Sequence, residues 1–447
     1  MKTDQALSIE AAARDAPERV FVIDERGRAH TFREVAELVR ASVTHGDVEL
    51  ASTSSSREVL GVPSLETLVT MLEAFEQRRP LVPLHPRWTE AERERARAQA
   101  TSSPRLEASH LAVLFTSGTS GTPKGALLSR RAFVAAAAAS ASRLGWCEDD
   151  RWLLAMPLAH VGGLSVLVRC LVARRAIVLG PQGSFDAAAF VDVVTRHRVT
   201  LASLVPTQLA QLVHAEARCP RSLRAVLLGG AACPAGVLER AVALGYPIHT
   251  TYGLTEMCAQ VATSRTPVRS SDEGVGEPLD SVEVKLEGGR ILVRSPARMD
   301  GWLDASLPDP FDAEGFYDTG DLGELDADGR LHVHVRRDDL IVSGGENVYP
   351  AEVERALLAI EGVEAVCVVG LPDETWGQRV AAAYVSAEPL DERALTEALR
   401  RVLASFKIPR RLLRLEALPT NAVGKLDRAR VRALLGAQEL ARGLGRA

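Results

Sequence analysis

Short apolar runs alternate with amphipathic stretches over the middle third of the chain. Residues 111–115, 152–155, 176–179, 201–204 and 225–228 are almost wholly apolar. Strands buried on both faces have this texture, because no position turns toward water. Residues 185–197 and 207–217 read as helices between such runs, so the region predicts a parallel or mixed α/β sheet. Upstream, to about residue 103, helical patterns alternate with short apolar runs. Residues 82–86 read as a strand end and turn, and residues 89–100 as a charged helix.

After Gly274 the elements shorten. Residues 282–286, 290–293, 322–325 and 331–335 are brief strands separated by Gly and Asp-Gly turns, as expected of an antiparallel sheet or barrel. A third texture starts near Arg336. Pro350 opens a helix to about residue 360, residues 363–369 and 380–385 read as strands, and Asp391 caps a helix to residue 404. The expected fold class is α/β: a large N-terminal body of mixed α/β sheets with a small antiparallel β subdomain (1–335), then a small α+β C-terminal domain (336–447).

A length of 447 residues fits two or three domains. With 53 Lys+Arg against 58 Asp+Glu, the net charge is −5, which argues against a nucleic-acid-binding protein. Arg and His residues interrupt the most apolar region, 153–180, before it reaches membrane-spanning length, so no membrane span is expected. The start, MKTDQALSIE, lacks the apolar core of a secretory signal. Six scattered cysteines form no C-x-x-C pair, which argues against a zinc site or a disulfide scaffold. The expected location is cytoplasmic, and a homodimer stays open.

The sharpest chemical signal is Thr116-Ser117-Gly118-Thr119-Ser120-Gly121-Thr122-Pro123-Lys124-Gly125, directly after an apolar strand. Glycines let the backbone approach phosphate, hydroxyls and N–H groups donate, and Lys neutralises charge. A Walker A loop is rejected, because it needs Gly before the Lys and Ser or Thr after it. Four weaker segments follow. In Thr251-Tyr252-Gly253-Leu254-Thr255-Glu256, Tyr offers a flat face for a base and Glu a ligand for Mg²⁺. Tyr317-Asp318-Thr319-Gly320-Asp321 reads as a turn whose last carboxylate suits ribose hydroxyls. Arg336-Arg337-Asp338-Asp339, then Ser343-Gly344-Gly345-Glu346-Asn347, marks a domain boundary. Asn421-Ala422-Val423-Gly424-Lys425 places a Lys in a Gly-flanked loop.

In this order and spacing the five segments resemble the adenylate-forming superfamily of acyl-CoA synthetases, luciferases and carrier-loading adenylation domains, from about Phe21 onward. The segment from Ser343 to Pro350 looks like its CoA-ligase version. Residues 253–263 are similar to o-succinylbenzoate–CoA ligases of menaquinone synthesis. The resemblance implies ATP, Mg²⁺ and CoA as cofactors and a carboxylic acid as substrate. It implies that Thr116, Ser117, Gly118, Thr119, Ser120, Gly121, Thr122 and Lys124 hold the β- and γ-phosphates. Tyr252 and Gly253 would meet adenine, with Gly229, Gly230 and Ala231 along its edge. Thr255 would contact the α-phosphate, Glu256 would bind Mg²⁺, and Asp321 and Arg336 would hold the ribose. Lys425 would bridge the attacking carboxylate and the α-phosphate. The acid would lie near His160, Gly162, Gly229, Gly253, Leu254 and Gln260. Asp338 would be the hinge of a mobile C-terminal domain, whose Gly344 and Gly345 line the pantetheine tunnel. The chain departs from the pattern at Val335, where Gly is usual, and at Ala159, where a bulkier residue is frequent. Two neighbouring readings stay open: a ligase for another aromatic or fatty acid, and a carrier-loading enzyme.

Overall fold

A computed structural model describes residues 3–46, 56–116, 124–181, 183, 185–336, 339–343, 346–373, 377–403, 405–421 and 426–444. The chain forms two compact units. The first comprises Met1–Lys285, Leu292–Thr319 and Leu325–His332; the second comprises Leu286–Ile291, Gly320–Glu324 and Val333–Ala447.

The first unit is built on two large sheets. One has nine strands, in the order Glu277–Pro278, Ala259–Thr263, Ile248–Leu254, Ala225–Leu228, Leu201–Leu204, Arg151–Leu154, Ala176–Leu179, Val20–Ile23 and Ala29–Thr31. Its central strands run parallel, and the strands at both edges pair antiparallel. The other sheet has five strands, ordered Gly301–Trp302, Lys124–Ser129, His110–Thr116, Leu81–Leu84 and Arg57–Leu60.

The central strands are apolar on both sides because both sides are covered. One face of the nine-stranded sheet joins a core with the helices Phe32–Gly46, Leu65–Glu76, Arg130–Leu144 and Val161–Ala173. The Ala-rich helix Arg130–Leu144 fits there because Ala132, Ala136 and Ala137 let it pack closely. The other face packs under Ala187–Arg196, Pro206–His214 and Ala235–Ala243. Fully burying one Leu or Phe side chain is worth about 1.5–3 kcal/mol, so these two layers dominate the stability of the unit.

A smaller sheet is ordered Glu283–Glu287, Arg290–Arg294, Tyr317–Leu325 and Leu331–Arg336. Tyr317 to Asp321 is strand, which corrects the turn expected there. The turn lies one step earlier: Gly315 N–H donates to Asp312 O (3.0 Å), and Asp312 Oδ1 accepts from Glu314 and Phe316 N–H. Polar side chains at 318, 319 and 321 hide the strand from a reading of apolar runs.

In the second unit, Ala365–Asp373 and Gly377–Val385 form a long antiparallel hairpin. The strand Arg411–Leu415 pairs parallel to Gly377–Val385. Pro350–Leu358 and Glu392–Arg400 cover one face of this sheet, and Arg428–Leu444 supplies Val431 and Leu435 to the other. Asp391 caps its helix by accepting from Arg393 N–H at 3.0 Å, and that helix ends at Arg400, short of residue 404.

A buried carboxylate staples the starts of three parallel strands. Asp150 is 2% exposed. It accepts from Arg224 Nε and Nη2, from Thr200 Oγ1 and from Cys147 N–H. Burial pushes this carboxyl up, but the bonds from Arg224, Cys147 and Thr200 outweigh it and hold it below its ordinary 3.8. Such stabilisation is fully present above the unfolded pKa and is lost as pH falls through the folded one. Asp150→Asn is therefore expected to cost about 3 kcal/mol at pH 7, read as a lower urea midpoint. The gap from the parent chain should narrow below pH 3.8; a gap of equal size at pH 3 and pH 7 would refute the staple.

Candidate active site at the strand ends

Parallel α/β sheets gather ligands at the carboxyl ends of their strands, where loops and helix starts converge. Three groups of expected site residues sit at such ends. His160 follows Arg151–Leu154, Gly229 to Ala231 follow Ala225–Leu228, and Tyr252 to Glu256 close Ile248–Leu254.

The last of these is shaped by close backbone approach. A Cβ on Gly253 would fall deep inside the contact distance of the Ala259 carbonyl oxygen. The chain turns back through the one-turn helix Thr255–Met257, Cys258 in the left-handed region (φ 49°) and Ala259 at φ 102°. Neither residue is Gly, so the turn holds backbone strain of the kind found at functional sites. Gly229 is similarly constrained: a Cβ there would come within 2.7 Å of Thr251 Cγ2.

Behind the turn lies a buried polar network. Thr251 Oγ1 and Thr263 Oγ1 are 2.8 Å apart, and Gln260 Nε2 donates to Thr263 Oγ1 at 2.8 Å. Gln260 Oε1 is buried without a hydrogen-bond partner among the described residues. Arg143, 8% exposed, donates to the carbonyls of Thr263, Glu277 and Pro278 and so ties off the ends of the neighbouring strands. Leu254 is buried, Tyr252 is half-buried, and Gly230 and Ala231 are exposed.

Glu256 is braced at both ends. Its Oε1 accepts from Tyr317 Oη at 3.3 Å, and its carbonyl accepts from Met299 N–H at 2.7 Å. Tyr317 was not singled out from the sequence, although it heads one of the quoted segments.

In the five-stranded sheet, His110–Thr116 and Lys124–Ser129 form a hairpin whose register ends at Thr116 opposite Lys124. Thr116 Oγ1 donates to Lys124 O at 3.4 Å, and Lys124 Nζ lies 5.5 Å from the Trp302 ring centroid. Trp302 gave no sequence signal.

His160 is the N-cap of Val161–Ala173, but its side chain makes no capping bond. Gly162 lies in the first turn of the same helix. Two turns on, Arg169 is 4% exposed. Its Nε and Nη2 have no hydrogen-bond partner among the described residues, and its guanidinium packs 5.3 Å from the Trp152 ring centroid. Burial pulls its pKa down to about 10, so it stays charged at neutral pH. A cation inside the apolar run 164–172 was the available signal.

Asp321 is buried (5% exposed) within its strand. Arg336 ends the strand Leu331–Arg336. Both belong to the second unit. Thr420 and Leu426 form an isolated antiparallel bridge. Ser117, Gly118, Thr119, Ser120, Gly121, Thr122, Asp338, Gly344, Gly345 and Lys425 lie outside the described residues.

Residues 76–303 match the model of the AMP-binding enzyme family, and residues 352–425 match the AMP-binding enzyme C-terminal domain. The chain belongs to this family of AMP-binding enzymes. Within it, a 2-succinylbenzoate–CoA ligase from Bacillus licheniformis is 39% identical over 340 residues, which covers 72% of this chain and 70% of that protein. o-Succinylbenzoate CoA synthetase from Bacillus subtilis, solved with the acyl-adenylate intermediate OSB-AMP, matches with a TM-score of 0.86 at 31% identity, covering 95% of this chain and 97% of that one. The same enzyme with ATP and magnesium ion matches at 0.85 and 31%, covering 96% and 98%.

The strained turn gives a paired prediction. Gly253→Ala should lose most adenylation activity and about 1–3 kcal/mol of stability, because backbone must move. Ala259→Gly should raise the thermal midpoint, by about 1 kcal/mol in stability. Thermal unfolding and pyrophosphate release check both; a lower midpoint for Ala259→Gly would contradict the strain.

Proposed function

We propose that this chain activates o-succinylbenzoate with ATP and transfers the acyl group to CoA, in the cytoplasm, toward menaquinone. In the first half-reaction a carboxylate oxygen attacks the α-phosphorus, and the bond to pyrophosphate breaks. In the second the CoA thiolate attacks the acyl carbon, and AMP leaves. A carboxylate is a weak nucleophile toward a polyanion, so the site must neutralise charge and hold the attack in line.

The proposed roles follow the motif positions. Thr116 and Lys124 meet the β- and γ-phosphates together with residues 117–122, Tyr252 the adenine face, Thr255 the α-phosphate, and Asp321 and Arg336 the ribose. Lys425 is assigned the attacking carboxylate, and Gly344 and Gly345 the pantetheine of CoA. Among the described residues no cluster of three or more His, Cys, Asp or Glu is placed to hold a metal. A single carboxylate, Glu256 steadied by Tyr317, fits Mg²⁺, which keeps waters and takes other ligands from phosphates. When bound, the ion supplies charge neutralisation on the triphosphate. No helix among the described residues is long and apolar enough to cross a membrane.

The observation that carries the substrate class is Arg169. o-Succinylbenzoate has a second carboxylate, and a simple aromatic or fatty acid does not. A buried guanidinium with no carboxylate partner, as found for Arg169 among the described residues, is costly unless a ligand completes it. Arg169 lies in the helix that His160 begins, and we assign it the second carboxylate.

Two measurements test this reading. An acid panel with and without CoA should give AMP release with much higher kcat/KM for o-succinylbenzoate than for benzoate or octanoate. Release of AMP that needs no CoA, or a preference for a simple acid, would reject it. Arg169→Met should lower kcat/KM for o-succinylbenzoate by about 10²–10³ fold, while the thermal midpoint holds or rises because an unpaired buried charge is gone. A fall in the midpoint with acid preference intact would make Arg169 structural.

A further inference from the structure

The strand Leu81–Leu84 ends at His85, which is 2% exposed. The His85 and His160 ring centroids are 4.9 Å apart, with the planes at 53°. Trp88 lies 6.2 Å from His85, centroid to centroid. Arg87 N–H donates to His85 Nδ1 at 3.1 Å. With Nδ1 an acceptor, the neutral ring carries its proton on Nε2. Burial first, then Arg87 and Arg93 against the opposing pull of Glu92, pushes the imidazole down to about 4. The ring is thus held in place and uncharged at neutral pH.

The backbone around His160 is gripped from the neighbouring strand. Leu158 N–H donates to Gly61 O at 2.9 Å, and a Cβ on Gly61 would come within 2.5 Å of Ala159 N. The strand Arg57–Leu60 therefore sets the path of the loop, and the end of its parallel neighbour Leu81–Leu84 faces the imidazole. The helix begun by His160 makes no use of that side chain as a cap, and the buried His85 ring packs against it.

We propose that His85 is a positioning residue that holds the His160 imidazole at the acid-binding site. The proposal rests on reading His160 as part of the acid site. An uncharged partner suits the task, since a cation there would draw the substrate carboxylate away from the attack and an anion would repel it.

A double-mutant cycle tests it. His85→Ala removes the ring that packs on His160; His85→Phe keeps an uncharged ring. His85→Ala is expected to raise the KM for the acid about 10-fold, equivalent to about 1.4 kcal/mol, with the ATP KM changed by less than about twofold. His85→Phe should recover most of the loss. In a His160→Ala background His85→Ala should change the acid KM by less than about twofold, because its target is gone. An unchanged acid KM, an equal loss with and without His160, or an ATP KM that rises in step, overturns the proposal. His85→Leu, which keeps bulk without a ring, serves the same cycle if the Ala variant is not recovered folded. The cycle uses whichever panel acid the parent chain activates, so rejection of o-succinylbenzoate as substrate leaves this test intact.

Discussion

The close passage of two backbone segments at Gly253 is the constraint on which the candidate site depends. With no side chain at 253, the Ala259 carbonyl can lie against the strand Ile248–Leu254. That contact forces the reversal through Thr255–Met257 and the positive φ at Cys258 and Ala259. The reversal places Glu256 where Tyr317 and Met299 brace it. It also returns the chain as Ala259–Thr263, whose Thr263 and Gln260 form the polar network behind Thr251. A larger residue at 253 would separate the two strands and dissolve each of these relations together.

Electrostatics shows a second layer of design. The chain carries a net −5, yet its proposed substrates are all anions. Average charge is irrelevant at this scale, because screening and burial make the field local. The first unit holds its cations in distinct ways. Lys124 rests near an aromatic face, Arg143 is bonded to main-chain carbonyls, and Arg169 is buried with two nitrogens that have no partner among the described residues. Arg143 supports the strands, and Arg169 is the residue to which the second carboxylate is assigned in the proposed function. Burial alone does not separate them; their hydrogen-bond inventories do.

The sequence made the apolar strands legible to within a residue or two. Leu201–Leu204 and Ala225–Leu228 have no competing pattern, and burial on both faces leaves no ambiguity. It misled at residues 317–321, where polar residues flank Gly and the first half of the strand Tyr317–Leu325 resembles a turn. Of the site, the motif residues at 252–256 were visible because glycines, hydroxyls and a carboxylate in fixed order have few other uses. Tyr317 and Trp302 were not, since single aromatic residues carry no periodicity, and Arg169 showed only as a cation breaking an apolar run.

What the sequence determined by itself was therefore the α/β class, the family and the order of its motifs. Those depend on local pattern and on residue types that chemistry requires at short spacing. Tertiary structure alone decided which distant residues meet. Tyr317 reaches Glu256 across 61 positions, and the His85 ring faces His160 across strands from different sheets. It alone showed that Arg169 is buried, with two nitrogens that lack a partner among the described residues. Pairing and desolvation are properties of packed surfaces, and no local run of residues encodes which surfaces will pack.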